Sequence, residues 1–98
     1  SLIMEEMSMG DMMTLLKLRR GRYSLVEEKI PPNARVLGQA IKDIRLPEQC
    51  VIAAIIRHGE IVVPRGATIF EAEDEVLAVT DRAGAQQLAD LLKPAARP

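Results

Sequence analysis

The sequence predicts an α+β fold with a mainly antiparallel sheet and two helices. Three observations lead there. Two apolar runs are each split by a tight-turn signal, Arg20-Gly21-Arg22 in one and His58-Gly59 in the other, and read as hairpins. Two other stretches, one after Asn33 and one after Asp81, carry apolar residues at helical spacing. The 98 residues make one domain of ordinary size, able to bury roughly two thirds of the surface its unfolded chain exposes.

Met12 to Arg19 is the first strand, with Thr14, Leu15, Leu16 and Leu18 set against outward Lys17 and Arg19. Tyr23 to Ile30 is the second, and Pro31-Pro32-Asn33 stops it. Val36, Leu37, Ala40, Ile41 and Ile44 then predict a helix, with Asn33 as N-cap and Pro47 as terminator. Gln49 to Arg57 and Glu60 to Val63 form the second hairpin. His58-Gly59 suits a two-residue turn with positive φ at both positions. Ala67 to Phe70 is short and extended, Glu71 to Glu75 is an acidic turn, and Val76 to Thr80 is the last strand. Thr80 or Asp81 caps the final helix, whose buried stripe is Ala85, Leu88, Ala89 and Leu92. The order is β-β-α-β-β-β-α.

The domain spans residues 12–93. Residues 1–11 read as a linker or cloning remnant, because Ser1-Leu2 stands where a natural start would have Met. Met4, Met7 and Met9, continued by Met12 and Met13 of the first strand, form a flexible packing stripe. Residues 94–98 read as a disordered tail.

The strand Val51-Ile52-Ala53-Ala54-Ile55-Ile56 is the feature that bears on function. It is apolar on both faces, Val51/Ala53/Ile55 on one and Ile52/Ala54/Ile56 on the other. Two short helices can cover one face. A bare second face is a patch that monomers avoid, and two-fold pairing is the commonest way to bury it. A homodimer with a ligand groove at its axis is therefore expected.

Composition removes other classes. Thirteen basic against fourteen acidic residues leave a net charge of −1, so no basic excess exists to neutralise nucleic acid. One Phe, one Tyr and no Trp supply no base-stacking platform and make the core aliphatic. No apolar run approaches the roughly 20 residues of a membrane helix. A single Cys50 suits a reducing compartment and reads as a core thiol.

No enzyme is expected. The one His and the one Cys stand at opposite ends of one strand, beyond hydrogen-bond reach of each other. His58 reads as a turn residue. No phosphate loop, dinucleotide fingerprint or metal-ligand spacing is present. Glu71, Glu73 and Glu75 share one side if extended, where a divalent cation could use their oxygens; a charged turn is the plainer reading. Likewise, the three arginines at the first hairpin could attract an anion or simply be a solvated tip.

The run from Ile30 to Asp81, "IPPNARVLGQAIKDIRLPEQCVIAAIIRHGEIVVPRGATIFEAEDEVLAVTD", resembles the TrkA-C domain, the C-terminal subdomain of RCK-type potassium-transport regulators. The resemblance rests on Leu37-Gly38, Leu46-Pro47, the aliphatic strand into Arg57-x-Gly59, Pro64-x-Gly66, and Asp74 before the last strand, and covers roughly Tyr23 to Leu92. Glu73 departs from it, standing where the family often has Gly; positive φ there would cost a non-glycine residue about 1 kcal/mol. The resemblance implies a cytoplasmic, dimeric regulatory and ligand-sensing domain of a Trk/Ktr-like potassium transport system. It also implies an upstream nucleotide-binding RCK domain and a membrane transporter subunit as partners, held at the inner face of the membrane. The implied effector is cyclic di-AMP, another nucleotide or a divalent cation. Its implied ligand residues here are Ile56, Arg57, Val62 and Pro64, with Arg57 as phosphate partner. A purely structural dimerisation module, or a cytosolic domain of another cation transporter or antiporter, are the alternatives.

Overall fold

The computed structural model describes Ser8, Met9 and residues 12–95. The strands are β1 (Ser8–Met9), β2 (Met12–Leu18), β3 (Tyr23–Lys29), β4 (Cys50–Arg57), β5 (Glu60–Val62) and β6 (Glu75–Thr80), followed by α1 (Arg82–Leu92). All pairings are antiparallel, in the order β1-β2-β3-β6-β4-β5. The last strand thus inserts between the two hairpins and holds them in one sheet.

The register divides the residues between two faces. Val26, Val76, Ala78, Thr80 and Ile55 are buried and point to one side, with Ile52 beside them. On that side lies α1, which buries Ala85, Leu88 and Leu92 as its spacing predicts. Asp81 is its N-cap, accepting a hydrogen bond from the Gly84 N–H at 2.7 Å. Gly84 matters here: a Cβ on it would collide with the Thr80 hydroxyl and approach the Gln49 carbonyl oxygen to 3.2 Å. A methyl group would therefore push α1 off the sheet.

The helix expected from Val36 to Ile44 does not form. The segment is a run of turns with one short 3-10 turn, Ile41–Asp43. Three of its N–H groups go to a distant segment, while those of Leu37, Gln39, Asp43 and Ile44 close turns on the residue three before. Gly38 donates to the Phe70 carbonyl, Ile41 to Thr68 at 2.9 Å, and Lys42 to Gly66 at 2.9 Å, while Phe70 donates back to Gln39. Gly38, at φ +82°, ends any helical path. Val36 is buried, and Leu37, Ile41 and Ile44 pack on the core, so the apolar spacing reports burial of a strap rather than a helix. Among the described residues there is one α-helix, α1, rather than two.

A second correction concerns β4. A bulge between Ile52 and Ala54 shifts the register by one residue. Val51, Ala54 and Ile56 therefore share one face, opposite Val79, Leu77 and Glu75, while Cys50, Ile52 and Ile55 share the other. The expected split, with Val51, Ala53 and Ile55 together, assumed an unbroken period of two. Of the tail expected to be disordered, residues 96–98 lie outside the described residues. Pro94 bridges Ala34, and the Ala95 N–H donates to the Asn33 carbonyl at 2.8 Å. The linker expectation for 1–11 falls mostly outside the described residues, as do Met4 and Met7 of the methionine stripe; Ser8–Met9 pairs with β2.

Candidate functional site

The His58-Gly59 turn has φ of +52° and +78°, the geometry its residues predict. It places Arg57 at the end of β4, beside the loop that leads into β6. The register pairs Ile56 with Glu75, so Arg57 arrives next to Asp74.

The Arg57 guanidinium is almost fully engaged. Nε donates to Asp74 Oδ1 at 2.8 Å and Nη2 to Asp74 Oδ2 at 2.8 Å, a bidentate pair. Nη2 also donates to the Ile69 carbonyl at 2.9 Å, and Nη1 meets Glu71 at 2.9 Å. Asp74 is buried and accepts a third hydrogen bond, from the Glu71 N–H at 2.9 Å. Burial alone would push its carboxyl up. The hydrogen bonds from Arg57 and the Glu71 N–H, with the Arg57 charge, outweigh burial and hold it below its ordinary value. The same Asp74 contact raises the Arg57 pKa further. Arg57 and Asp74 together pin the second hairpin to the 69–74 loop.

Glu73 takes the turn at φ +71°, the conformation a glycine would adopt freely, and pairs with Lys29 at 3.1 Å. The acidic run is thus divided among cations: Glu71 and Asp74 go to Arg57, and Glu73 to Lys29. Among the described residues, no three His, Cys, Asp or Glu side chains come together as a metal site would need. Glu75 instead faces Glu27, whose carboxyl is raised by burial first and then by the Glu75 charge and hydrogen bond. Cys50 is half-buried, and burial pushes its thiol up, away from a reactive thiolate.

The four implied ligand residues do not share one face. Ile56 pairs with Ile61 on the face away from α1. Val62 pairs with Ile55 on the covered face and packs against the core. Pro64 is half-buried just past β5. Arg57 presents only Nη1 to an exposed partner, Glu71.

Asp74 and Glu71 as partners of Arg57 are what reading the residues alone missed. The one local signal was a single Asp within a run of Glu, directly before an apolar strand. By register the face away from α1 carries Leu16, Leu25, Leu77, Val79, Val51, Ala54, Ile56 and Ile61, interrupted by Glu27, Lys29 and Glu75 toward the acidic turn. Val51 is 65% exposed, Ile61 71% and Val63 58%.

A single antiparallel sheet, layered on one face and open and mainly aliphatic on the other, with an arginine-carboxylate clamp at one end, defines the class: a small α+β sheet module. The chain belongs to the TrkA-C domain family, whose model matches residues 25–93. It is similar to the Trk system potassium uptake protein TrkA of Mycobacterium tuberculosis, 32% identical over 94 residues, which cover 96% of this chain and 43% of that protein. A TrkA homolog from Archaeoglobus fulgidus is 34% identical over 74 residues, 76% of this chain and 17% of that protein. The chain therefore spans less than half the length of these relatives. Among solved structures, an RCK_C domain dimer of S. agalactiae BusR in complex with c-di-AMP superposes with a TM-score of 0.64 at 21% identity, covering 74% of this chain and 93% of that one. A second, described as an RCK domain with cda, also gives 0.64, at 20% identity, covering 70% and 97%. These likenesses establish the RCK-type fold.

Proposed function

We propose that this chain is a cytoplasmic regulatory, ligand-sensing and dimerisation domain of a Trk/Ktr-like potassium transport system. Family membership supports the system. The observation that carries dimerisation is the aliphatic part of the open face, where Val51 and Ile61 are more than half exposed. A second copy is the partner that buries it. In the longer protein, an upstream nucleotide-binding RCK domain and a membrane potassium transporter subunit complete the assembly, holding the domain at the inner face of the membrane.

The proposed effector is a phosphate-bearing nucleotide such as cyclic di-AMP, the ligand held by the BusR domain dimer. Ile56 and Pro64 supply apolar contact, Val62 backs them from the core side, and Arg57 reaches a phosphate through Nη1 by exchanging Glu71. An effector that binds one dimer geometry better shifts the equilibrium between geometries, and attached domains carry that shift onward.

One observation favours a second reading. Arg57 already has its charge met by Asp74 and Glu71, as expected of a purely structural dimerisation module. Thermal shift with cyclic di-AMP separates the two. At 100 times its dissociation constant the effector adds about 2.7 kcal/mol of stability, and Ile56→Glu removes the response. A flat response to cyclic di-AMP leaves the structural module, and sedimentation showing a monomer at micromolar concentration refutes dimerisation.

A further inference from the structure

The tip of the first hairpin is not used by the reading above. Arg19, Arg20 and Arg22 flank Gly21 there and are all exposed. The ion pairs of Lys29, Arg57 and Lys93 lie elsewhere. Arg19 and Arg20 both hold left-handed backbone, at φ +52° and +59°, followed by Gly21 at +85°. Such a turn suits glycine or asparagine. Arginine at both positions costs conformational energy and yields only exposed charge. Strain kept at a site with no local compensation points to function.

The surroundings sharpen this. No acidic residue occurs from Met12 to Val26. Asp81 lines one cavity with Gly21 and Lys17, but its charge is offset by the α1 N-terminus it caps and by Arg82 beside it. The acidic turn lies at the other end of β3, since Lys29 pairs with Glu75 and Ser24 with Thr80. Seven strand residues separate the two ends by roughly 20 Å, well over the ~8 Å screening length at physiological salt. A surface meeting the tip therefore senses the arginines and not the net charge of −1.

The residues beside the arginines select the kind of surface. Tyr23 and Leu18 are cross-strand partners, both half-buried; the Tyr23 hydroxyl donates to Gln49 Oε1 at 3.3 Å, and the Arg22 guanidinium sits 5.7 Å from the centre of the Tyr23 ring. An amphipathic ring and a leucine set among cations suit the headgroup boundary of a bilayer better than a purely acidic protein segment.

The geometry points to the Arg19-Arg20-Gly21-Arg22 tip as a direct contact for anionic phospholipid headgroups, independent of any transporter subunit or effector. Each arginine at a charged bilayer surface raises partitioning by roughly fivefold, and three together by roughly 150-fold.

The test is sedimentation of the 98-residue chain with vesicles of equal parts phosphatidylglycerol and phosphatidylcholine, against phosphatidylcholine alone. Binding to the anionic vesicles is expected to exceed the neutral control by about two orders of magnitude at low salt and to vanish at high salt. Arg19→Gln with Arg20→Gln and Arg22→Gln should return it to the control. Arg19→Gly with Arg20→Gly should lose about 25-fold while the melting temperature holds or rises, because glycine relieves the turn. That result separates lost binding from lost folding. No preference for anionic vesicles, or a preference that survives the triple substitution, overturns the proposal. So does arginine-dependent capture by a polyglutamate peptide without vesicle binding, which would assign the tip to an acidic protein.

Discussion

Replacing Asp74 with Asn removes the charge at the centre of the clamp while keeping its shape. In the native fold this buried carboxylate accepts two hydrogen bonds from Arg57, each at 2.8 Å, and one from the Glu71 N–H at 2.9 Å. An asparagine can still accept on one oxygen, but its amide nitrogen then faces a guanidinium or an N–H, donor against donor. Breaking a fully buried ion pair from one side costs about 3–5 kcal/mol. The Arg57 side chain is 20% exposed and keeps Glu71, so water and that carboxylate offset part of the loss. We expect a loss of about 2–3 kcal/mol, which lowers the melting temperature of a domain this size by roughly 10–20 °C. Urea unfolding followed by circular dichroism measures it, since the chain has no Trp to report by fluorescence. The midpoint should fall with an unchanged slope. The sign with pH is also defined. The folded-state pKa of Asp74 lies below its ordinary value of 3.8, so its contribution is complete above that pH and is lost as pH falls through the folded value. The gap between native protein and Asp74→Asn should therefore close below about pH 4. A loss under about 0.5 kcal/mol at neutral pH would refute the clamp as a source of stability, because it would equate Asp74 with an exposed carboxylate.

Three further outcomes follow from the same geometry. Gly84→Ala should destabilise by more than about 2 kcal/mol in urea, although alanine favours helix by about 1 kcal/mol, because its methyl meets Thr80 and the Gln49 carbonyl. Glu73→Gly should raise stability by roughly 0.5 kcal/mol, since relief of φ +71° exceeds the loss of an exposed pair with Lys29; a fall in midpoint would show that the pair outweighs the strain. Glu27→Gln should stabilise at neutral pH. The Glu27 carboxyl is raised above 4.5 by burial and by Glu75, so the charged form opposes folding above the folded pKa, and the gain should disappear as pH falls toward 4.5. A gain that persists unchanged at pH 4 would sever it from Glu27 ionisation.

The two hairpins, the His58-Gly59 turn and α1 with its Asp81 cap were legible because each depends on residues close in sequence. Positive φ at a histidine-glycine pair and an i, i+3, i+4 stripe after a capping aspartate need no distant partner to be recognised. The same local logic failed between Asn33 and Ile44. There the apolar spacing satisfied a helical template, yet the N–H groups of Gly38, Ile41 and Lys42 found carbonyls in residues 66–70, a choice no local pattern displays.

The sequence on its own determined the aliphatic core, the turn chemistry, the family resemblance and the placement of an arginine at the end of an apolar hairpin. Tertiary structure decided what that arginine does. Inserting β6 between the hairpins set Ile56 opposite Glu75, which brought Arg57 onto Asp74. The bulge after Ile52 decided which half of the apolar strand is open to a partner. Both depend on strand register, a long-range property. Shifting a register by one residue exchanges the faces of a strand without changing a single residue, so composition and spacing cannot report it.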